Sequence, residues 1–356
     1  MGVTAPRLRP FLGQLAAYKP GRRPAEGQTV SRLASNETPF PLLPSVQAAV
    51  AAALVDSNRY PDPAAARLTE AIAAKHGLTA DRVAVGCGSV QLVQELVEIS
   101  CDAGDEVVFG WRSFEAYPTL TTIAGAVPVQ VPLREAHLDL EAMSAAITDR
   151  TRLVLLCSPN NPTGPALAES AVKAFLETVP TSVLVVIDEA YAEFVDDPNA
   201  VDGTRLLDSY PNLVVFRTFS KAYGLAGLRV GYALAGSPTV AAAIRQVHLP
   251  FAVSIAAQAA ALASLEAEPQ LLAQVATIVA EREPLRQQLL AQGWDVPAAQ
   301  GNFVWLPTGA DSDRVSQVFE DHGVLVRCFS GEGIRITVAT PADNAKVLLA
   351  AQAART

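Results

Sequence analysis

Residues 213–232 read LVVFRTFSKAYGLAGLRVGY, and in this stretch a lysine follows an apolar run and precedes a glycine-containing turn. The run LVVF has no polar alternation, which is typical of a strand that is buried on both faces of a sheet. Lys221 is one of five lysines in the chain. A desolvated lysine can lose its proton and form a Schiff base, whereas an arginine stays charged. The stretch therefore indicates either a reactive amine or an ordinary lysine in a surface loop.

Four further apolar runs have the same form and end in glycine or polar residues. They are RVAVGCGS (82–89), DEVVFG (105–110), RLVLLCSPNN (152–161) and SVLVVIDEAY (182–191). Because helix-like segments follow them, the chain predicts an α/β fold with a mostly parallel central sheet, whose ligands bind beyond the carboxyl ends of the strands. The residues expected to converge there are Gly88, Ser89, Asn160, Asn161, Asp188, Tyr191, Ser220, Lys221 and Arg229.

The sequence predicts a large domain and a smaller α/β domain. The strand runs lie within residues 30–245, which we assign to the large domain. After residue 245 the pattern becomes mostly helical, until FVWLP, VLVRCF and IRITVA indicate a small sheet. We therefore expect residues 1–29, an arm rich in Pro, Gly and Arg, and residues 246–356 to form the smaller domain.

Composition and charge narrow the classes of partner. The net charge is −9 and half of the residues are hydrophobic, so we expect a small-molecule ligand and no nucleic acid. The four cysteines, Cys87, Cys101, Cys157 and Cys328, have no metal-binding or disulfide spacing. No stretch has the pattern of a signal peptide or a membrane span. We expect a cytoplasmic protein with reduced thiols, without a metal site or a membrane partner.

The strand ends supply the groups that pyridoxal phosphate requires. Lys221 offers the amine, and Asp188 offers a carboxylate for the ring nitrogen, although Asp188 is also a candidate N-cap of the next helix. Gly88 and Ser89 precede an amphipathic helix whose first N–H groups would bind an anion. This turn is not a dinucleotide fingerprint, because Gln91 occupies the place of the third glycine.

Four more residues would complete such a site. Ser220 and Arg229 are placed to bind the phosphate, and the amide of Asn161 and the phenol of Tyr191 are placed to donate to the ring oxygen. Three of them also have a plainer interpretation: Arg229 as a surface ion pair, Asn161 as a turn residue and Tyr191 as a packed ring. Periodicity alone does not identify the cofactor, but the convergence of these groups favours it.

The motifs SPNNPTG (158–164), IDEAY (187–191) and TFSKAYGLAGLRVG (218–231) resemble the signature segments of fold-type I pyridoxal-phosphate aminotransferases. The resemblance is to the branch of histidinol-phosphate and aromatic amino acid aminotransferases. It runs from LASNETPFP (33–41) to GIRITVA (333–339), which is nearly the whole chain. It implies the fold-type I architecture and pyridoxal 5'-phosphate as the cofactor.

The resemblance also implies roles for individual residues. Lys221 would carry the cofactor and act as the base, with Asp188 and Tyr191 as further catalytic residues. The cofactor-binding residues would be Gly88, Ser89, Phe114, Asn161, Asp188, Tyr191, Ser220, Lys221, Arg229 and Tyr60. Tyr60, in NRYPD, would reach the phosphate of the partner subunit, which implies a homodimer with shared active sites; its alternative is a packed aromatic. Phe114 stands where many relatives have a tyrosine, so the ring is retained without the hydroxyl.

Three residues are implied for substrate binding. Arg335 matches the arginine that binds the substrate carboxylate or, in the histidinol-phosphate enzymes, the phosphate. Arg327 is a second candidate nearby, and Tyr18 matches a tyrosine of the substrate pocket. Since VVFGWRSFEAYP (107–118) resembles the actinobacterial phenylalanine enzymes more closely, we expect an aromatic amino acid aminotransferase that uses a 2-oxo acid such as 2-oxoglutarate. Histidinol-phosphate aminotransferase is the main alternative, followed by a decarboxylase of this fold and a cofactor-binding regulator without turnover.

Overall fold

The computed structural model of the protein describes residues 30–355 together with Pro6, Arg9, Leu12, Gly13 and Leu15. Its strands are β1 (Ser31–Arg32), β2 (Val83–Gly86), β3 (Glu106–Trp111), β4 (Val127–Pro132), β5 (Thr151–Cys157), β6 (Leu184–Asp188), β7 (Leu213–Thr218), β8 (Gly231–Ala235), β9 (Phe303–Leu306), β10 (Val324–Leu325), β11 (Arg327–Phe329) and β12 (Gly333–Thr337). Tyr18 and most of the predicted arm lie outside the described residues.

Helices separate most of the strands from β2 to β6, and elsewhere they also follow one another directly. They are α1 (Pro44–Leu54), α2 (Ala66–His76), α3 (Ser89–Ser100), α4 (Ala116–Ala124), α5 (Leu140–Ala145), α6 (Glu169–Thr178), α7 (Pro238–Val247), α8 (Ile255–Glu266), α9 (Glu268–Ala291), α10 (Ser312–Asp321) and α11 (Pro341–Arg355). Short 3-10 helices cover Ala80–Arg82, Ala192–Phe194, Gly203–Leu206 and Gly309–Asp311. The apolar runs of the sequence are strands, and a helix begins directly after the predicted glycine turn.

The central sheet has seven strands in the order β2-β8-β7-β6-β5-β3-β4. The pairs β3–β4, β3–β5, β5–β6 and β6–β7 are parallel, and β8 runs antiparallel to both of its neighbours, β2 and β7. All strands except β8 therefore run in one direction. Because their carboxyl ends meet at one edge, the polar residues that follow them are brought together.

Both faces of this sheet are buried, which explains the apolar runs. In β5, Leu153 and Leu155 pack in one core with Leu96 of α3, whereas Val154 and Leu156 pack in the core on the opposite face. Successive side chains of a strand point to opposite faces, so a strand that is covered twice needs an apolar residue at every position. Burial of each such side chain contributes roughly 1.5–3 kcal/mol.

A smaller antiparallel sheet, β11-β12-β9, lies in the carboxyl-terminal part of the chain, with α10 and α11 nearby. β1 pairs in parallel with β10, and the Thr337 N–H donates to the Leu33 carbonyl at 2.9 Å. The predicted combination of a large, mostly parallel sheet with a smaller α/β unit is confirmed. The domain boundaries, 30–245 against 1–29 with 246–356, stay a prediction.

The longest helix, α9, connects the two parts. Arg282 of α9 is buried and donates to the carbonyls of Phe194 and Gly301 at 2.8 and 3.1 Å, while it pairs with Asp196 at 2.7 Å. These bonds join the helix to the loop after β6. Among the described residues, none of the helices combines the length and the apolarity that a membrane crossing requires.

Candidate active site

A cavity of about 390 Å³ opens at the carboxyl ends of the central strands. The predicted site residues that line it are Ser89, Phe114, Asn161, Asp188, Tyr191, Ser220, Lys221, Arg229, Arg327 and Arg335. Gly88 lies behind this lining and contacts Arg229, and Tyr60 lies elsewhere on the surface. The cavity therefore gathers residues from many separate segments of the chain into one place.

Lys221 lies in the turn after β7, and its Nζ donates to the Ser35 carbonyl at 2.8 Å. Burial, together with the positive charges of Arg335 and Arg229, lowers the pKa of Lys221 to about 7. A large fraction of the amine is then neutral at physiological pH, and only the neutral form is a nucleophile or a base. This environment differs from that of a solvated surface lysine and suits a reactive amine.

Asp188 ends β6 and presents its carboxylate to the same cavity. Its Oδ2 accepts a hydrogen bond from the Tyr117 hydroxyl at 2.7 Å, whereas its Oδ1 is buried and has no partner among the described residues. Burial raises the pKa of Asp188 to about 6, and the Tyr117 bond opposes that shift. The next 3-10 helix begins at Ala192 after Tyr191, so Asp188 is not its N-cap.

Tyr117 has a supporting role that the sequence did not reveal. It is fully buried in α4, and its ring packs edge-on against Phe109 and Phe114 at centroid distances of 5.6 and 5.5 Å. Its hydroxyl orients the Asp188 carboxylate, and Asp188 Oδ1 is then available to a cationic donor. The one sequence signal was its position three residues after Phe114, which places both rings on one side of the helix start.

The turn before α3 approaches Arg229 closely. Gly88 has φ +77, and a Cβ atom there would lie 2.4 Å from Arg229 Nη2, so a larger residue would displace the guanidinium. Gln91 Oε1 accepts a hydrogen bond from the Cys87 N–H at 2.6 Å. The glutamine that breaks the dinucleotide pattern therefore holds the turn in place, and Ser89 opens the helix beside it.

Two hydroxyls and the Arg229 guanidinium complete an anion cradle. Thr218 Oγ1 donates to Ser220 Oγ at 2.9 Å and accepts from the Ser220 N–H at 3.1 Å. Arg229 Nη1 donates to the Ala226 carbonyl at 3.0 Å rather than to a carboxylate. Helix N–H groups, hydroxyls and an arginine are the donors that bind phosphate in proteins, so these residues fit the phosphate of the expected cofactor.

Asn161 and Tyr191 are held so that their donors point away from their protein partners. The Tyr191 oxygen accepts from Asn36 Nδ2 at 2.9 Å, and burial raises the pKa of Tyr191 to about 12, so the phenol keeps its own proton to donate. Asn161 Oδ1 accepts from Arg335 Nη1 at 2.5 Å, which leaves its amide nitrogen for another acceptor. Asn36 belongs to the motif LASNETPFP (33–41), and no role was predicted for it. Its Oδ1 accepts a hydrogen bond from the Thr337 hydroxyl at 3.0 Å.

The two arginines expected to bind substrate have different partners. Arg335 also donates to the Ala34 carbonyl at 2.7 Å, whereas Arg327 forms an ion pair with Glu115 at 2.8 Å. Glu115 was not predicted as part of the site. Tyr60 is 80% exposed, so it is not a core aromatic, and its ring stacks on Phe251 at 4.5 Å.

The strand-end cavity, the low-pKa lysine and the orphaned carboxylate oxygen together define a site that fits pyridoxal phosphate. The chain belongs to the aminotransferase family described as "Aminotransferase class I and II", whose sequence model matches residues 28–351. It is a pyridoxal-phosphate-dependent enzyme of that family.

Individual members of the family are similar to this chain over nearly its whole length. It is 53% identical to an "Aromatic amino acid aminotransferase" of Thermobifida fusca (strain YX), over 98% of this chain and 97% of the relative. It is 51% identical to a protein of the same name from Rhodococcus jostii (strain RHA1), over 95% and 93%. Among solved structures, histidinol-phosphate aminotransferase from Sinorhizobium meliloti in complex with pyridoxal-5'-phosphate has a TM-score of 0.89 and 29% identity, and the match covers 99% of this chain and 98% of that one.

Lys221 is expected to titrate as an unusually acidic amine. In cofactor-free protein, its labelling by trinitrobenzenesulfonate should rise with pH around a midpoint near 7, because its neutral form predominates above its pKa of about 7; an ordinary lysine has a pKa of about 10.4. Peptide mass spectrometry gives the labelling rate of each lysine. Lys173, on the surface helix α6, is the internal standard, and identical pH profiles for the two lysines would contradict the prediction.

Asp188→Asn is expected to stabilise the cofactor-free protein at high pH. The pKa of about 6 in the folded protein exceeds the ordinary value, so the folded state binds the proton more tightly and loses stability as pH rises from about 4 to about 6. At pH 8 the variant should be more stable by up to about 3 kcal/mol, and the difference should disappear near pH 4. Urea denaturation at both pH values measures it.

The exposed Asp295→Asn substitution is the matched control for the change of charge in the stability measurement. A variant that is less stable than the wild type at pH 8 would show that the Asp188 carboxylate is fully stabilised by the protein alone.

Turnover of the cofactor-loaded Asp188→Asn enzyme should fall by about a hundredfold or more, because an amide cannot stabilise a protonated ring nitrogen as a carboxylate does.

Proposed function

We propose that this chain is an aromatic amino acid aminotransferase, which transfers the amino group between an amino acid such as phenylalanine and a 2-oxo acid such as 2-oxoglutarate. The observation that carries the proposal is the high identity, over nearly the whole chain, to the two relatives of that name. The histidinol-phosphate enzyme shares the fold at much lower identity.

The walls of the cavity support an aromatic substrate. Beside the polar groups, its lining includes the side chains of Val90, Ala116, Ala190 and Ala226, which offer apolar surface to a ring. At about 25 cal/mol per Å², the burial of 100 Å² of ring surface would contribute roughly 2.5 kcal/mol to binding. An apolar wall would gain less from the imidazole of histidinol phosphate, because that group needs hydrogen-bond partners.

We propose the following cofactor contacts. Gly88, Ser89, Ser220 and Arg229 would bind the phosphate, Phe114 would stack on the ring, Asn161 and Tyr191 would donate to the ring oxygen, and Asp188 Oδ1 would accept from the ring nitrogen. Lys221 would hold the cofactor covalently. Bound pyridoxal phosphate supplies an electron-withdrawing ring that stabilises negative charge developing at the substrate Cα.

The chain supplies the remaining chemistry. The charge of Asp188 would keep a proton on the ring nitrogen, because its attraction for a cation is stronger in this low-dielectric site than in water. Lys221 Nζ, with its lowered pKa, can accept the proton of the substrate Cα near neutral pH and return it. Arg335 would bind the substrate carboxylate, since its N–H groups already form part of the cavity wall. In this proposal, Asp188 acts on the cofactor ring, Lys221 transfers the proton and Arg335 binds the substrate.

We also propose a homodimer with shared active sites. Tyr60 stands on the surface beside Phe251, and Leu54, Val55 and Leu249 are likewise exposed apolar side chains in the segments that flank them. An exposed apolar group of this kind is typical of a subunit interface.

We also propose that the large domain comprises residues 30–245. A cytoplasmic location agrees with the four cysteines, which all lie in the described residues and form no disulfide bond there.

The preference of the enzyme for its amino donor tests the proposed function directly. We expect kcat/KM with 2-oxoglutarate to be higher for phenylalanine than for histidinol phosphate, with measurable activity on both, because an apolar pocket discriminates more gently than a polar one. Steady-state assays of the wild-type enzyme with the two donors decide the question. A kcat/KM for histidinol phosphate more than tenfold higher than that for phenylalanine would contradict the proposal and indicate a histidinol-phosphate aminotransferase.

Mixed dimers test the shared site. Tyr60→Phe and Lys221→Ala chains, each with low activity, are co-refolded so that mixed dimers form. If Tyr60 serves the partner's site, each mixed dimer has one site with both defects and one with neither, and activity should rise above that of either parent. Mixtures that stay at the level of the parents, or a monomer in sedimentation, would exclude a shared site.

A further inference from the structure

A cross-strand pair of arginines, Arg327 and Arg335, lines the side of the cavity where we expect the substrate to bind. Arg327 of β11 and Arg335 of β12 are register partners in the antiparallel sheet, and both line the cavity. Side chains that stand directly opposite each other lie on the same face with Cβ atoms about 5 Å apart. Two adjacent guanidinium groups would by themselves suit a doubly charged anion.

Glu115 changes this balance. It directly precedes α4 and lines the same cavity, and its carboxylate takes a forked contact from Arg327, with Nη2 at 2.8 Å from Oε1 and Nε at 3.2 Å from Oε2. The Arg327 side chain is 12% exposed and that of Glu115 is 32% exposed, so bulk solvent screens the pair only partly. Arg335 donates hydrogen bonds to Asn161 Oδ1 and to the Ala34 carbonyl.

We propose that Glu115 is a specificity-determining residue, which cancels the charge of Arg327 and so matches the pocket to a singly charged carboxylate rather than to a phosphate monoester dianion. This proposal rests on the proposed function, since it concerns the donor class of the same site. With Glu115 present, the three side chains carry a net charge of +1, the complement of one carboxylate. A phosphate monoester carries both of its charges on one group, so its second charge would lie close to the Glu115 carboxylate, and like charges repel in a site that solvent screens only partly.

Two inhibitors that differ in charge test the proposal. One is 3-phenylpropionate, a monoanion, and the other is 2-phenylethyl phosphate, which is a dianion at pH 8 because the second phosphate pKa is about 6. Their inhibition constants against phenylalanine are measured for the wild-type holoenzyme and for the Glu115→Gln and Glu115→Asp holoenzymes. Glu141→Gln, an exposed residue of α5, is the control for loss of one negative charge.

In Glu115→Gln, binding of the phosphate relative to the carboxylate should improve by about tenfold, which corresponds to about 1.4 kcal/mol. The ratio of kcat/KM for histidinol phosphate to that for phenylalanine should rise by a similar factor. Glu115→Asp, which keeps the charge, and the surface control should keep the wild-type ratios. In the wild type, the carboxylate inhibitor should bind more tightly than the phosphate.

An unchanged inhibitor ratio in Glu115→Gln would overturn the proposal, and so would equal shifts in Glu115→Asp and Glu115→Gln, which would indicate size rather than charge. If Glu115→Gln does not fold, tighter binding of the phosphate than of the carboxylate by the wild type would still overturn it. The proposed function is tested separately, because it depends on the donor preference of the wild type and the role of Glu115 on the change between wild type and variant.

Discussion

Two ionisable side chains at the ends of adjacent buried strands set the character of the site. Asp188 ends β6 and Lys221 follows β7, and the same loss of solvent raises the pKa of the acid and lowers the pKa of the amine. Burial thus drives both groups toward their neutral forms. A ligand with a cationic ring nitrogen and a reactive carbonyl would suit both groups, because the nitrogen would pair with the carboxylate and the carbonyl would react with the amine. The surrounding residues are arranged to hold such a ligand.

The supporting contacts come from distant parts of the chain. Tyr117 of α4 orients Asp188, Asn36 from the segment after β1 orients Tyr191, and Gln91 of α3 holds the turn before its own helix. The segment after β1 is bonded to the smaller sheet through Leu33 and therefore brings a residue from that side to the edge of the central sheet. Rigid elements with satisfied hydrogen bonds keep the site preorganised, which is the main requirement for electrostatic catalysis.

In our proposal, the substrate side of the cavity selects its ligand by charge as well as by shape. The arginine pair of the smaller sheet meets Glu115 of the larger part of the molecule, so the net charge of the pocket is decided where the two parts come together. In the proposed assignment, cofactor binding and donor selection are carried by different elements. One consequence is that the donor class could change through a single carboxylate, while the lysine, the aspartate and the phosphate cradle remain as they are.

The apolar runs of the sequence predicted β2, β3, β5, β6 and β7 of the central sheet, but not β8 or the partly exposed β4. The shared edge of these predicted strands and the polar residues that follow them could also be predicted, because a strand buried on two faces leaves an unbroken apolar run and the carboxyl ends of parallel strands meet. Those residues include Asp188, Asn161, Ser220 and Lys221, which line one cavity. The bonds of Tyr117 to Asp188, of Asn36 to Tyr191 and of Glu115 to Arg327 depend instead on tertiary packing, because they join residues 71, 155 and 212 positions apart. No local pattern encodes such contacts, since they arise when separate elements pack and desolvate the groups between them.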